Sequence, residues 1–195
     1  MLRSWFFGLT VIGLLAGAAE QIEPPAPPQK PNPAPEMAKL QRFIGSWAGK
    51  GEMVEPSAEQ MKKTMPEGAP EMPSSFQGAN KGEWALGGMF LKGDGWYEMG
   101  PGQKAHYVEY WTWDPTKKKY RTWYANDWGE HGQAWAWFEA DGNTMRMEGE
   151  AVDAAGNAKR GEGTITFTDD NTMEWTWSET GPLGMMKMKG TSKRQ

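Results

Sequence analysis

From Gly45 onward, apolar and polar residues alternate with a period of two in runs near ten residues long, and Gly, Pro, Asn and Asp separate the runs. Met145 and Met147 alternate with Arg146 and Glu148, and Ile165 and Phe167 with threonines. Met173, Trp175 and Trp177 alternate with Thr172, Glu174 and Thr176; Met186 and Met188 alternate with Lys187 and Lys189. Successive strand side chains point to opposite faces, so each run has one apolar and one wet side. Strands are predicted at 45–54, 81–86, 89–99, 105–113, 119–127, 133–139, 143–149, 163–168, 172–178 and 186–189. Asp141-Gly142 and Asp169-Asp170-Asn171 suit hairpin turns, and Pro115 sets the second position of the turn Asp114–Lys117. An open meander of about ten strands would leave two apolar edges, and closure removes them. The expectation is an all-β, single antiparallel up-and-down barrel.

Before the strands, Met37, Leu40 and Phe43 lie three apart, which predicts a short N-terminal helix. Residues 1–19 read as an export signal: Arg3, an apolar run from Trp5 to Leu15, then Ala16, Gly17, Ala18 and Ala19. The apolar run is shorter than a membrane-spanning helix requires, so cleavage is expected, with an uncleaved membrane anchor as the alternative. The place of action is then periplasmic or extracellular. Residues 20–35, rich in proline, predict an extended linker, and 36–195 the barrel domain. The stretch Glu55–Ser75, carrying Pro56, Pro66, Pro70 and Pro73, predicts a long loop after the first strand.

The absence of cysteine excludes disulfides, thiolate metal sites and thiol enzymes. Without Arg3 the charge balance is 20 basic against 25 acidic residues, a net charge of −5, and no basic stripe points to nucleic acid. No nucleophile elbow, phosphate loop or dinucleotide fingerprint occurs, so no catalytic residues are assigned. His106 and His131 lack the pairing of a metal motif, and Gly129-Glu130-His131-Gly132 lacks the second histidine of a zinc protease. The methionines are explained as strand core rather than copper ligands, so no metal is expected. The carboxylates Asp94, Glu98, Glu109, Asp114, Asp127 and Glu130, scattered among aromatics, are read as barrel exterior.

Eleven tryptophans follow the leader, and they pair at i, i+2 as Trp111/Trp113, Trp135/Trp137 and Trp175/Trp177. If these faces point inward, the barrel interior is apolar and polarizable, suited to a flat or greasy ligand. The candidate ligand-binding residues are Trp111, Trp113, Trp135, Trp137, Met147, Trp175 and Trp177. The competing readings are a solid barrel serving as a structural or interaction module, and a hydrolase or isomerase with a carboxylate or His106 in a pocket.

Phe43-Ile44-Gly45-Ser46-Trp47 followed by Gly49-Lys50-Gly51-Glu52 resembles the Gly-x-Trp opening of lipocalin-like (calycin) proteins, with Trp47 placed to plug the closed end of a barrel. With Leu86-Gly87-Gly88-Met89-Phe90-Leu91, Tyr110-Trp111-Thr112-Trp113-Asp114-Pro115, Tyr120, Asp141-Gly142 and Met147-Glu148-Gly149, the chain resembles the bacterial family called domain of unknown function 1579. That resemblance implies a calycin barrel and little else, because the family has no established activity. The family usually carries Arg after the paired glycines, where Met89 stands here. A more distant relative, nitrobindin, holds haem through a histidine near its C-terminal end; no histidine follows His131, and haem is therefore not expected as a cofactor.

Overall fold

The computed structural model describes residues 30–56, 74–100, 102–182 and 184–195. Residues 1–19, expected as an export signal, residues 20–29 of the expected linker and residues 57–73 of the expected loop lie outside that set. The barrel belongs to the unit Asn32–Gln195.

Ten strands make one closed antiparallel barrel: β1 (Gly45–Glu55), β2 (Ser75–Ala85), β3 (Phe90–Glu98), β4 (Lys104–Asp114), β5 (Lys119–Asn126), β6 (His131–Phe138), β7 (Thr144–Val152), β8 (Ala158–Asp169), β9 (Thr172–Gly181) and β10 (Gly184–Arg194). Each strand pairs with its sequence neighbour, and β1 closes the ring on β10, from Trp47 opposite Arg194 to Met53 opposite Met188. No strand edge is left free, the result anticipated for a meander of this length. The alternation identifies each strand but understates its length. β2 starts at Ser75, six residues before the predicted start, and β8 and β10 extend into glycine- and lysine-rich flanks. Those flanks pair because the neighbouring strand continues beside them, a cause that acts across the sheet.

The turns follow their local chemistry. Asp114 Oδ1 accepts from the backbone N–H of Thr116 and Lys117 at 2.8 and 2.9 Å, fixing the β4–β5 turn, and Lys118 there takes φ 52°. Asp141 Oδ1 accepts from Asn143 and Thr144 N–H at 2.9 Å, beside Gly142 with φ 68°.

A 3₁₀ helix, Pro35–Phe43, seals one end of the barrel. Its Met37 and Leu40 are fully buried among Leu91, Trp111, Tyr120, Ala136 and Met145, with Phe43, Ile44, Phe138, Met147 and Ile165 packed against them. Tyr120 Oη donates to Glu36 O at 2.7 Å and Phe43 stacks on Trp111 at 5.8 Å. Arg194 ties the ends of the domain together. Its Nη2 donates to Arg42 O at 2.9 Å, its Nη1 to Ile44 O, and its guanidinium lies 4.5 Å above the ring of Trp47. The chain therefore closes its barrel and its helical plug through one side chain.

Candidate functional site

The register fixes which side chains face the lumen. Trp111 and Trp113 on β4 lie opposite Thr122 and Tyr120; Tyr120 lies opposite Ala136, and Ala136 opposite Met147. The same parity continues from Met147 to Gly163 to Trp177, and from Ile165 to Trp175. Trp111, Trp113, Met147, Trp175 and Trp177 are thus brought together on the inner wall.

Trp135 and Trp137 are not, and the sequence expectation for them is corrected. They alternate with Ala134, Ala136 and Phe138, which hold the inward positions of β6, and Ala136 is completely buried. Where β6 meets Tyr120, Met145 and the helical plug there is room for a methyl group, not an indole. The two indoles lie on the outer wall under cations: Lys119 Nζ sits 3.7 Å from the Trp137 ring centre, and the Arg121 guanidinium lies 4.9 and 5.5 Å from Trp123 and Trp135.

Solvent contact grades along the lumen. At the helix end, Trp47, Leu91, Trp111, Tyr120, Met145 and Phe167 are buried. Toward the other end, Met53, Phe76, Tyr107, Glu109, Tyr124, Trp175, Trp177 and Met188 face inward yet are only half-buried. Large side chains at the helix end are buried, and those toward the other end keep partial solvent contact, with the small Ala105 and Ala151 buried between them.

Glycines shape that open half. Gly93 lies opposite Glu109, Gly95 opposite Tyr107, Gly132 opposite Tyr124, Gly163 opposite Trp177 and Gly190 opposite Trp175. In each pair the large side chain folds down over its cross-strand glycine. A Cβ added to those glycines would stand 2.5 Å from Glu109 Oε1, 2.8 Å from Tyr107 Cζ, 2.6 Å from Tyr124 Cε1, 2.7 Å from Trp177 Cε3 and 2.3 Å from Trp175 Cζ2. Gly51 serves Phe76 and Trp175 alike. Laid against the wall, these side chains line the lumen without crossing it.

The open half has two chemically distinct sides. One is aromatic and thioether: Phe76 packs on Trp175 at 5.6 Å, with Trp177, Met53 and Met188 beside them. The other is polar. Asn80 Nδ2 donates to Tyr107 Oη at 2.9 Å and to Glu109 Oε1 at 3.3 Å. Nearer the rim, Asn126 Nδ2 donates to Tyr97 Oη at 3.1 Å, Tyr124 Oη donates to Glu130, and Lys159 pairs with Glu130 and, at 3.7 Å, with Glu179. Burial pushes the Glu109 carboxyl above the usual carboxylate range, and burial followed by the bonded Glu130 pushes the Tyr124 phenol up. Glu109 and Glu130 are therefore a second correction, because the sequence reading put both on the exterior. Glu109 shares its face with Tyr107, Trp111 and Trp113, so the period-two signal was available for it.

His106 and His131 are both exposed. Among the described residues, no group of three or more His, Asp or Glu is arranged to hold a metal, and no helix is long and apolar enough to cross a membrane. Two concavities, of about 440 and 520 Å³, lie on the outer wall, the first lined by Gln133, Trp135, Glu148 and Arg160 and the second by Trp137, Arg146 and Lys187.

A family model described as "Protein of unknown function (DUF1579)" matches residues 32–194. Among solved structures, the chain is similar to Rv2717c from M. tuberculosis at 14% identity and TM-score 0.58, covering 84% of this chain and 99% of that one. It is also similar to the S-type phycobiliprotein lyase CPES from Guillardia theta, at 10% identity and TM-score 0.49 over 84% and 98% of the two chains. A redesigned β-barrel, mFAP1, bound to DFHBI matches at 15% identity and TM-score 0.39 over 80% and 98%. At these identities the likeness to Rv2717c speaks for the fold alone. No curated protein matches.

Proposed function

Because this chain belongs to the DUF1579 family, whose function is unknown, we propose its role from the barrel itself: an exported protein that holds a small hydrophobic or aromatic ligand in the open half of its lumen. The observation that carries this reading is the folding of Trp175, Trp177 and Phe76 onto glycines 51, 163 and 190. A barrel selected only for stability gains by filling its interior, since every unfilled methyl-sized space forfeits packing. This one spends glycine at the positions that keep large rings against the wall. Export draws on the leader at 1–19.

The test is titration with N-phenyl-1-naphthylamine, a neutral probe that brightens on leaving water. The reading expects saturable one-to-one binding, weakened several-fold by Trp175→Ala or Trp177→Ala, since an aromatic contact contributes roughly 0.5–1.5 kcal/mol beyond its buried area. Trp135→Ala should leave it unchanged. No saturable binding, or an equal loss with Trp135→Ala, overturns the reading.

A second reading, an interaction module, draws on the outer-wall aromatics Phe90, Tyr110, Trp123, Trp135 and Trp137, of which Phe90 and Tyr110 pack edge to face at 6.5 Å. The cations already seated over Trp123, Trp135 and Trp137 weigh against it, because a partner would have to displace them.

A further inference from the structure

Resting on the lumen reading, we propose that the ligand is an aromatic cation, its ring against Trp175 and Trp177 and its protonated amine on the carboxylate of Glu109. β4 and β9 stand diametrically opposite: passing from β4 through β5 to β9, or through β3, β2, β1 and β10 to β9, takes five steps either way. Glu109 on β4 and the two indoles on β9 therefore face each other across the lumen.

Glu109 has an unusual set of partners for an interior carboxylate. Asn80, a neutral side chain, donates to it. Among the described residues no Lys or Arg lies within ion-pair distance of it. Lys159, on the lumen face of β8, is already held between Glu130 and Glu179. A carboxylate drawn partly out of water with no cation beside it is costly to keep ionised, and its burial holds the proton more tightly than usual. A ligand ammonium would supply the missing charge, and a charge-assisted hydrogen bond in that setting is stronger than a neutral one. The open half of the lumen also holds Glu130 and Glu179 against one lysine, which disfavours an anion. Gly93 matters here as the glycines of β8 and β10 do for tryptophan. It lets the Glu109 side chain lie along the wall, with the carboxylate presented to the lumen rather than crossing it.

The experiment is calorimetric titration of the purified chain and of Glu109→Gln with three probes sharing one ring: 1-naphthylmethylammonium, 1-naphthylmethanol and 1-naphthylacetate. The proposal expects the ammonium to bind roughly tenfold or more tighter than the alcohol, with the acetate weakest, and the Glu109→Gln variant to bring ammonium and alcohol within about twofold. A second readout needs no variant. Repeating the ammonium titration of the wild-type chain at a series of pH values upward from 4.5, in buffers of different ionisation enthalpy, should reveal proton release over the range in which Glu109 ionises against the amine. If ammonium and alcohol bind equally, or if the preference survives Glu109→Gln without proton release, the proposal is overturned while the lumen reading stands. Preference for the acetate also overturns it. If none of the three binds, the lumen reading falls and the proposal with it.

Discussion

Replacing Gly51 by alanine separates two opposite expectations. Gly51 has no positive φ, so the backbone accepts alanine, and relief of glycine's unfolded-state entropy alone would stabilise a strand by roughly 0.5–1 kcal/mol. The barrel predicts the reverse. The new methyl would stand 2.5 and 2.7 Å from Phe76 ring carbons and 2.7 Å from Trp175 Cη2. Carbon atoms settle at about 3.5–4.0 Å, so both rings must lift by roughly 1 Å into the lumen. Overpacking of this kind costs about 1–3 kcal/mol, which leaves a net loss of up to about 2.5 kcal/mol after the backbone gain. In a domain of this size each kcal/mol shifts Tm by roughly 2–4 °C, so the midpoint should fall by up to about 10 °C. Urea unfolding followed by tryptophan fluorescence measures the free energy, and near-ultraviolet circular dichroism reports the displaced rings. Phe76→Leu in the same chain should recover part of the loss. A Gly51→Ala variant more stable than the parent would refute the packing argument, and with it the claim that these glycines exist to hold rings flat.

Removing Arg194 as Arg194→Ala unpairs the carbonyls of Arg42 and Ile44 and uncovers Trp47, for an expected loss of about 2–4 kcal/mol by denaturant midpoint; a loss below about 0.5 kcal/mol would contradict its role as the tie between plug and barrel. Leu40→Ala empties a fully buried position of the plug and should cost about 2–5 kcal/mol in the same assay. The Glu109 carboxyl is raised in the folded chain, so the native state holds a proton that the unfolded state has released once pH passes the ordinary value of 4.5. Stability of the wild-type chain should therefore decline relative to Glu109→Gln as pH rises from 4.5 through the raised value, and a flat difference across that range would refute its burial. Burial pushes Tyr120 up to about 12 and also raises Tyr97, Tyr107 and Tyr124, so four of the five phenols should ionise late when absorbance at high pH is followed.

How much of this was readable beforehand depended on which physical signal each feature writes into the chain. The late strands β7 to β10 alternate large apolar residues with threonine, lysine and glutamate, and their inward faces were legible. β6 alternates alanine with tryptophan, so both of its faces read as apolar, and ranking by hydrophobicity put the indoles inside. Space decided otherwise: the neighbours of β6 leave volume for Ala136, and the outer indoles recover shelter under Lys119 and Arg121. The polar side of the lumen was missed for a related reason. Glu109 was grouped with other acidic residues by composition, although its parity with Trp111 and Trp113 placed it inward. The glycine pairing could not have been read at all, because Gly163 and Trp177, or Gly190 and Trp175, become partners only through the register between strands. Residues 1–29 and 57–73 carry the export and insertion readings as proposals.

A crystal structure of the chain soaked with 1-naphthylmethylammonium tests the open, two-sided lumen most directly. The account predicts density for the ring against Trp175 and Trp177, with the amine within hydrogen-bond distance of Glu109. Density confined to the outer wall beside Trp135, or indoles standing across a filled interior, would contradict it.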